Sequence, residues 1–443
     1  MKKNIIRLLC LYLLITSVEG KLLTLSDVIQ LTLENNLEKQ IQTTSFTINK
    51  NISTIAESGL LPSIDFSYNS SNSTSDSSTT LSTGGILSGS NSNSSTNAST
   101  ISLTQTLQHI TVPFYTYKKL KQRTLQEQFR LELFIEELLL ESISLFFDSV
   151  RLEKNLSLLK ETLNNEELHY QKIQDQYKLG VSSLIELLET KKHLNTHKKN
   201  IISTEKQLSQ HTLKLNHLMG NHLDDAINVN ESIELNETLH LTELLNSAST
   251  HNLSIKIANQ SKILTETEAK LIFSNIYPTL SLSLDYYNTE SSANSGFITA
   301  SDSSGTQVSG SLIWNIFNGG QDRNKIKNIK LAKTLTLKKQ EQTKKVVQKE
   351  IKSIFVDYTS SKQIFKLLKE NITTQLKHVK QSEHLFETGQ LSITDLQSSQ
   401  LNYLESKKEY NNMMLTLKLI ELRLLQLSGK LHESITSPTK NEG

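Results

Sequence analysis

Two short stretches carry the residues whose types and spacing could do chemistry. In Tyr177–Leu188, and again in Phe386–Gln397, an aromatic residue is followed at steps of three by a glycine, a serine and an acid, and then by leucine. The acids are Glu186 and Asp395. A carboxylate on the first turn of a helix can do two things: it complements the helix dipole, and it attracts cations. A lone glycine between helix-forming runs supplies the left-handed conformation that ends one helix, and the serine then caps the next. Each stretch therefore reads as the tip of a helical hairpin, with Gly180 and Gly389 at the turns.

The remaining reactive side chains support little. His193 and His197 lie four apart on a helix, which would put two imidazoles on one face for a metal. No acid or cysteine completes a set, so a solvated helix face is the expectation and no metal is assigned. No nucleophile–base pair or phosphate-binding glycine loop appears, and neither an enzyme nor a cofactor is expected. Net charge is only +2 over 443 residues, far from the basic footprint of a nucleic-acid binder.

The chain opens with Lys2, Lys3 and Arg7, an apolar core from Leu8 to Ile15, and small residues at Ser17 and Gly20. That order predicts a secretory signal peptide over residues 1–20, too short to span a bilayer. The single cysteine, Cys10, falls inside it, so the mature chain is expected to be free of thiols, disulfides and a lipid-bearing cysteine. No later run reaches the roughly eighteen apolar residues of a spanning helix, so a membrane role would fall to β-strands or a surface contact.

The elements that position the two tips come from a tandem duplication. Leu23-Thr24-Leu25-Ser26-Asp27 is echoed by Leu239-His240-Leu241-Thr242-Glu243, Asn36-Leu37 by Asn252-Leu253, and Pro62 by Pro278, all at an offset of 216. Further on the offset is 209, pairing Leu103 with Leu312, Gly180 with Gly389, Glu186 with Asp395 and Gly220 with Gly429. The halves are residues 21–230 and 231–430, with a polar tail at 431–443.

Each half starts with a helix, capped by Ser26 or Thr242, running toward the proline. Period-two alternation then marks strands at about 62–69 and 101–108 in the first half, and at about 278–287 and 308–317 in the second. Between them, Ser70–Thr100 and Thr289–Thr306 are almost wholly Ser, Thr, Asn and Gly, which predicts solvated, mobile hairpin loops. From Phe114 to Leu179 and from Gln321 to Thr388 there is neither proline nor glycine, so each run is a helix on the order of 100 Å long. Ile351, Ile354, Tyr358, Phe365, Leu368, Ile372 and Val379 give the second helix a narrow apolar seam. Leu138, Leu145, Leu152, Leu156, Leu159 and Leu163 do so for the first. A narrow seam on a polar rod is coiled-coil packing. A second helix of about forty residues returns from each tip to Gly220 or Gly429, read as C-cap glycines.

Strands with one oily and one polar face, and nothing left to cover the oily one, fit a closed barrel with lipid outside and water inside. Four strands are too few to close one, so several chains must share it.

The duplicated layout, the proline-started strands, the run Trp314-Asn315-Ile316-Phe317-Asn318-Gly319-Gly320 leading into the second long helix, and the two tips together resemble the TolC family of outer-membrane efflux channels. The resemblance spans about residues 22–430. It implies a mainly α fold with a membrane β-barrel: a homotrimer with four strands per protomer in a shared twelve-stranded barrel, continued by an α-helical periplasmic tunnel. It further implies an exit duct for tripartite efflux or type I secretion in the outer membrane of a Gram-negative bacterium. Its partners would be outer-membrane lipid, a periplasmic adaptor and an inner-membrane transporter of RND, ABC or MFS type. By the same resemblance Asp395 and Glu186 are periplasmic pore acids, competing with their plain role as helix-dipole partners, and Gly180, Val181, Gly389 and Gln390 meet the adaptor. Leu391 and Ser398 depart from the family, which has an arginine and a second pore acid there. Trp314 is expected in an interfacial belt. The rival is a surface-tethered coiled-coil adhesin or spacer, whose helices would satisfy the same periodicity but whose stalk needs no two-faced strands.

Overall fold

The computed structural model describes residues 21–108, 111–229, 235, 239–274, 276–295 and 298–431. The expected signal peptide, nearly all of the polar tail and most of the segment joining the halves lie outside them. The first half comprises β1 (Lys21–Leu23), α1 (Leu25–Asn35), α2 (Leu37–Ile52), β2 (Ser63–Thr80), β3 (Ile86–Gln108), α3 (Thr111–Lys178) and α4 (Leu184–Met219). The second repeats that order as β4 (Ile227–Val229), α5 (Leu241–His251), α6 (Leu253–Ser274), β5 (Thr279–Ala293), β6 (Ala300–Ile313), α7 (Gln321–Glu387) and α8 (Ile393–Ser428). No helix among the described residues is long and apolar enough to cross a membrane.

Two compact units share this chain, one built from residues up to 44, 129–256 and 342 onward, the other from 45–128 and 257–341. The second unit holds an antiparallel four-stranded sheet in the order β2-β3-β5-β6. Register aligns Ile64, Leu103, Leu284 and Val308 in one row, and Phe66, Ile101 and Tyr286 in the next on the same face. The alternate rows, such as Asp65, Ser102, Asp285 and Gln307, are polar. The apolar face is uncovered in the protomer: Ile64, Phe66, Tyr68, Tyr286, Val308 and Leu312 are all more than half exposed. Sequence alternation thus located one oily and one polar face correctly.

The Ser/Thr/Asn stretches correct the expectation of mobile loops. Ser70–Thr100 is almost entirely strand, with β2 and β3 closing on a short turn at 81–85, and β5 and β6 likewise extend beyond the expected bounds at 287 and 308. A ladder needs paired backbones, which an apolar face does not supply, and the side chains add hydrogen bonds across it. Ser70 Oγ donates to Asn97 Oδ1 at 2.8 Å, Thr74 Oγ1 to Asn93 Oδ1 at 2.6 Å, and the Ser73 and Ser94 hydroxyls lie 2.8 Å apart. At the other end β6 stops at Ile313. Trp314–Phe317, expected as strand, leaves the sheet, and the Trp314 indole donates to the Ile276 carbonyl at 3.1 Å.

The first unit contains the parallel pair β1–β4 and the helical hairpins α3–α4 and α7–α8 from residues 129 and 342 onward, the first turns of α3 and α7 belonging to the strand-bearing unit. Their seams are buried as expected at Leu138, Leu152, Ile351, Tyr358 and Val379, but the most deeply buried apolar side chains of α3 are Phe146, Ile143 and Val150, which a leucine-only count passed over. Val28 of α1 packs into the first hairpin's root with Phe146, Leu215 and Met219. Leu244 and Ala248 of α5 pack equivalently against Ile351, Leu417 and Leu424.

The helix starts differ from expectation. Thr24 caps α1, donating to and accepting from Asp27, and α5 begins after His240 without a side-chain cap. The helix toward the proline is also broken, at the echoed asparagines. Asn36 Oδ1 accepts the Lys39 N–H at 2.9 Å while its amide donates to the Leu218 carbonyl at 3.0 Å. Asn252 caps the Ile255 N–H at 3.0 Å and donates to the Leu427 carbonyl at 2.9 Å. One amide thus restarts a helix and ties off the last turn of α4 or α8, because it has both an acceptor and a donor. Gly220 and Gly429 end those turns with φ of 68° and 73°. A Cβ on Gly220 would sit 2.8 Å from the Asn35 carbonyl oxygen, and on Gly429 2.7 Å from the His251 carbonyl carbon.

Asn252→Ala should cost about 2 kcal/mol, combining a lost cap with an orphaned carbonyl. Asn252→Asp keeps the cap acceptor but sets a carboxylate oxygen against the buried Leu427 carbonyl, so at neutral pH it should cost at least as much, as read from denaturant midpoints of the helical signal. Burial, with Glu132 nearby, raises the Glu136 carboxyl of α3 from 4.5 to about 7. The folded state therefore holds that proton more tightly, and the carboxylate's cost grows as pH rises from about 4.5 to about 7. Glu136→Gln should accordingly raise the melting temperature at about pH 8 and leave it unchanged at about pH 4.

Candidate functional site: the hairpin tips

Both tips close with the same backbone device. At the first, Gly180 (φ 70°) donates to the Tyr177 carbonyl at 3.0 Å and Val181 to the Gln176 carbonyl at 2.8 Å. At the second, Gly389 (φ 74°) donates to Phe386 at 3.0 Å and Gln390 to Leu385 at 2.9 Å. These paired bonds are the Schellman arrangement, and they satisfy the last carbonyls of α3 and α7. Ser183 and Ser392 then cap α4 and α8, accepting from the N–H of Glu186 and of Asp395 at 3.2 Å each. The expected turn glycines and capping serines are all in place.

The two acids sit on the first turns of the returning helices, but each carboxylate is already engaged. Ser182 Oγ donates to Glu186 Oε2 at 2.6 Å, and Ser392 Oγ to Asp395 Oδ2 at 2.6 Å. Asp395 is exposed, Glu186 half-buried. Val181 and Gln390 are exposed at the two turns, Leu391 is half-buried and Ser398 exposed. The first tip is the more apolar, since Leu179, Val181 and Ile185 are each at least 70% exposed.

A cleft of about 440 Å³ lies where the tips meet, walled by His169, Lys172, Glu186, Glu189, Phe386 and Ser392, among others. The Lys172 ammonium stands 5.5 Å from the centre of the Phe386 ring, a cation–π contact joining α3 to α7. Burial pushes the His169 imidazole pKa down, Lys172 adds to that, and Glu186 partly offsets it. Sequence reasoning missed His169, which lies four residues before the buried Ile173 at seam spacing, and Lys172, which immediately precedes it.

The histidine pair needs a correction. His197 is buried rather than solvated, because Thr190, Leu194, His197 and Ile201 form the buried seam of α4. Burial raises the pKa of Glu166 on α3, opposed by His197 and His193. Among the described residues no three His, Cys, Asp or Glu side chains are grouped to hold a metal. In the second hairpin Ser399 Oγ lies 2.7 Å from His378 Nδ1 and 2.8 Å from Ser382 Oγ. Ser399 is 1% exposed, so this serine–histidine contact is a seam bond that no substrate reaches.

A duplicated set of long helical hairpins, joined to a sheet with one oily and one polar face, is the protomer fold of TolC-like outer-membrane channels. The family model for outer membrane efflux proteins matches residues 47–221 and 244–430, one match for each half. The chain belongs to that family, whose members are outer-membrane channels extending into the periplasm, and the adhesin alternative falls. No curated protein sequence matches the chain. Among solved structures, the CmeC outer membrane channel of Campylobacter jejuni is 17% identical, with a TM-score of 0.78 over 92% of this chain and 86% of that one. VceC of Vibrio cholerae is 12% identical, with a TM-score of 0.73 over 91% and 96%. The MtrE channel of Neisseria gonorrhoeae, described in its open state, is 14% identical, with a TM-score of 0.71 over 92% and 89%. At such identities the likeness establishes the fold.

A Cβ added at Gly180 or Gly389 would meet nothing, whereas at Gly429 it would clash with backbone. Gly389→Ala should therefore cost only the left-handed strain, about 1–2 kcal/mol. Gly429→Ala should cost clearly more, and comparing their melting temperatures checks the order.

Proposed function

We propose that three copies of this chain form a passive outer-membrane exit duct, opened at the hairpin tips by a periplasmic adaptor and an inner-membrane transporter. The observation that carries this is the sheet: its oily face is uncovered, and β2 and β6 each leave one edge unpaired in the protomer. Backbone groups in lipid must be satisfied, which closure into a barrel achieves. Three four-stranded sheets make a twelve-stranded barrel, the β6 edge of one protomer meeting the β2 edge of the next.

In that trimer the tips converge at the periplasmic mouth. Asp395, exposed on the second tip, and Glu186 on the first would put up to six carboxylates around it, favouring cations there. Gly180, Val181, Gly389 and Gln390 are the turn positions offered to an adaptor, and the apolar surface of the first tip suits apolar residues on that partner. With Leu391 and Ser398 in place of an arginine and an acid, the tie between hairpins passes to the contact of Lys172 with Phe386. The transporter could be of RND, ABC or MFS type, serving efflux or type I secretion.

Purified in detergent, the protein should have the mass of a trimer and conduct ions in planar bilayers; a monomer without conductance overturns the proposal. Asp395→Ala should weaken block by divalent cations while leaving assembly intact. Unchanged block would remove Asp395 from the pore.

A further inference from the structure

The strand-bearing unit segregates its charge. The only charged residues of its four long strands are the acids Asp65, Asp76, Asp285, Glu290 and Asp302. Lysine and arginine begin where strand gives way to helix. On α3, Phe114, Lys118 and Lys121 fall at positions i, i+4 and i+7, one face of a helix. On α7, Arg323, Lys327 and Lys330 have the same spacing. At the repeat offset of 209, Lys118 matches Lys327 and Lys121 matches Lys330. Both copies of the duplicated unit thus carry the same two lysines on the same turns.

These lysines are exposed. Nearby acids are engaged elsewhere: Glu268 pairs with Lys119 at 2.9 Å and Asp322 with Lys325 at 3.6 Å. Lys121 lies 5.5 Å over the Tyr117 ring, its stem along the aromatic. Just before the α7 stripe, Trp314, Ile316 and Phe317 are 59%, 82% and 82% exposed, and before the α3 stripe Phe114 is 55% exposed. Apolar rings followed within two helical turns by cations match the layering of a bilayer surface, where aromatics sit at the interface and lysines reach the headgroups.

We propose that Lys118, Lys121, Lys327 and Lys330, with Arg323, form a collar that binds the headgroups of anionic phospholipids at the periplasm-facing leaflet. The proposal rests on the barrel assigned above. The cations supply attraction to the lipid phosphates, while Phe114, Ile316 and Phe317 set the depth at which they are held. The acid-only strands leave no cation at the far end, so anionic headgroups are favoured on one side only, which would help fix the barrel's depth and direction.

The test uses the full-length protein in nanodiscs of mixed phosphatidylglycerol and phosphatidylcholine, reading the phosphatidylglycerol retained after extraction and the melting temperature. Wild type should retain phosphatidylglycerol preferentially, less so as salt is raised. Replacing all four lysines by glutamine should cut that preference about tenfold or more, since each surface lysine contributes several-fold. A control carrying Lys338→Gln, Lys339→Gln, Lys344→Gln and Lys345→Gln removes equal charge further along α7 and should keep it. Equal retention by the collar variant, equal loss in the control, or the same thermal shift with inorganic phosphate alone would overturn the collar. Wild type that enters bilayers of both lipids without preference sinks the collar only; wild type that enters neither sinks the barrel as well.

Discussion

Everything in this protein follows from a backbone that must be paired where water is absent. A four-stranded sheet with one oily face and two open edges is unstable alone, either in water or in lipid. The oily rows through Ile64 and Phe66 are left uncovered among the described residues, which is what the proposed barrel answers with lipid and further strands. In the proposed shared ring, the helices leaving the strands would be gathered around one axis. Narrow seams on α3, α4, α7 and α8 then suffice, since each helix needs only lateral neighbours.

The duplication turns one solution into two. At the roots of the hairpins the asparagine–glycine junction appears in both halves, with the amide bonding the last turn of the returning helix and the glycine letting a short helix approach to backbone distance. A glycine serves two needs there, left-handed φ and absence of a Cβ; at the tips it serves only the first. The roots are consequently the less tolerant ends of the hairpins. The tip-ward seams are built differently, from His197 and Thr190 in one hairpin and Ser382 and Ser399 in the other. Polar seams bury less apolar area than the Phe146 and Leu215 packing at the roots, so the tip-ward part is the cheaper to open.

Much of this was legible because duplication, period and turn chemistry are local signals. The tips, their capping serines, the terminal glycines and the two-faced strands could all be read from spacing. The long Ser/Thr/Asn hairpins could not, because composition reports burial and says nothing about ladder pairing. Strand there is held by bonds such as Ser70 to Asn97, between residues far apart in sequence. His197 was misplaced for a related reason: a histidine on a polar helix looks solvated until the seam through Thr190, Leu194 and Ile201 is traced. The asparagines at 36 and 252 were seen as a repeat, but their double bonding depends on carbonyls more than 170 residues away.

The departures at Leu391 and Ser398 bear on how firmly the two hairpin tips would be held in the proposed gate. A charge-assisted link through an arginine would be directional and worth roughly 1.5–3 kcal/mol. The lysine over Phe386 has no fixed hydrogen-bond geometry, and at an exposed site a cation–π contact contributes about 0.5–1 kcal/mol. Glu186, in the same cleft, accepts from Ser182 within its own tip and so does not bridge the hairpins through that bond. As the tie in the proposed gate, this contact would resist opening weakly and tolerate sliding of one tip past the other. On the proposed gating role, such a mouth would need less differential binding energy from its partners to shift toward the open form, because a ligand moves an equilibrium only by its preference for one state.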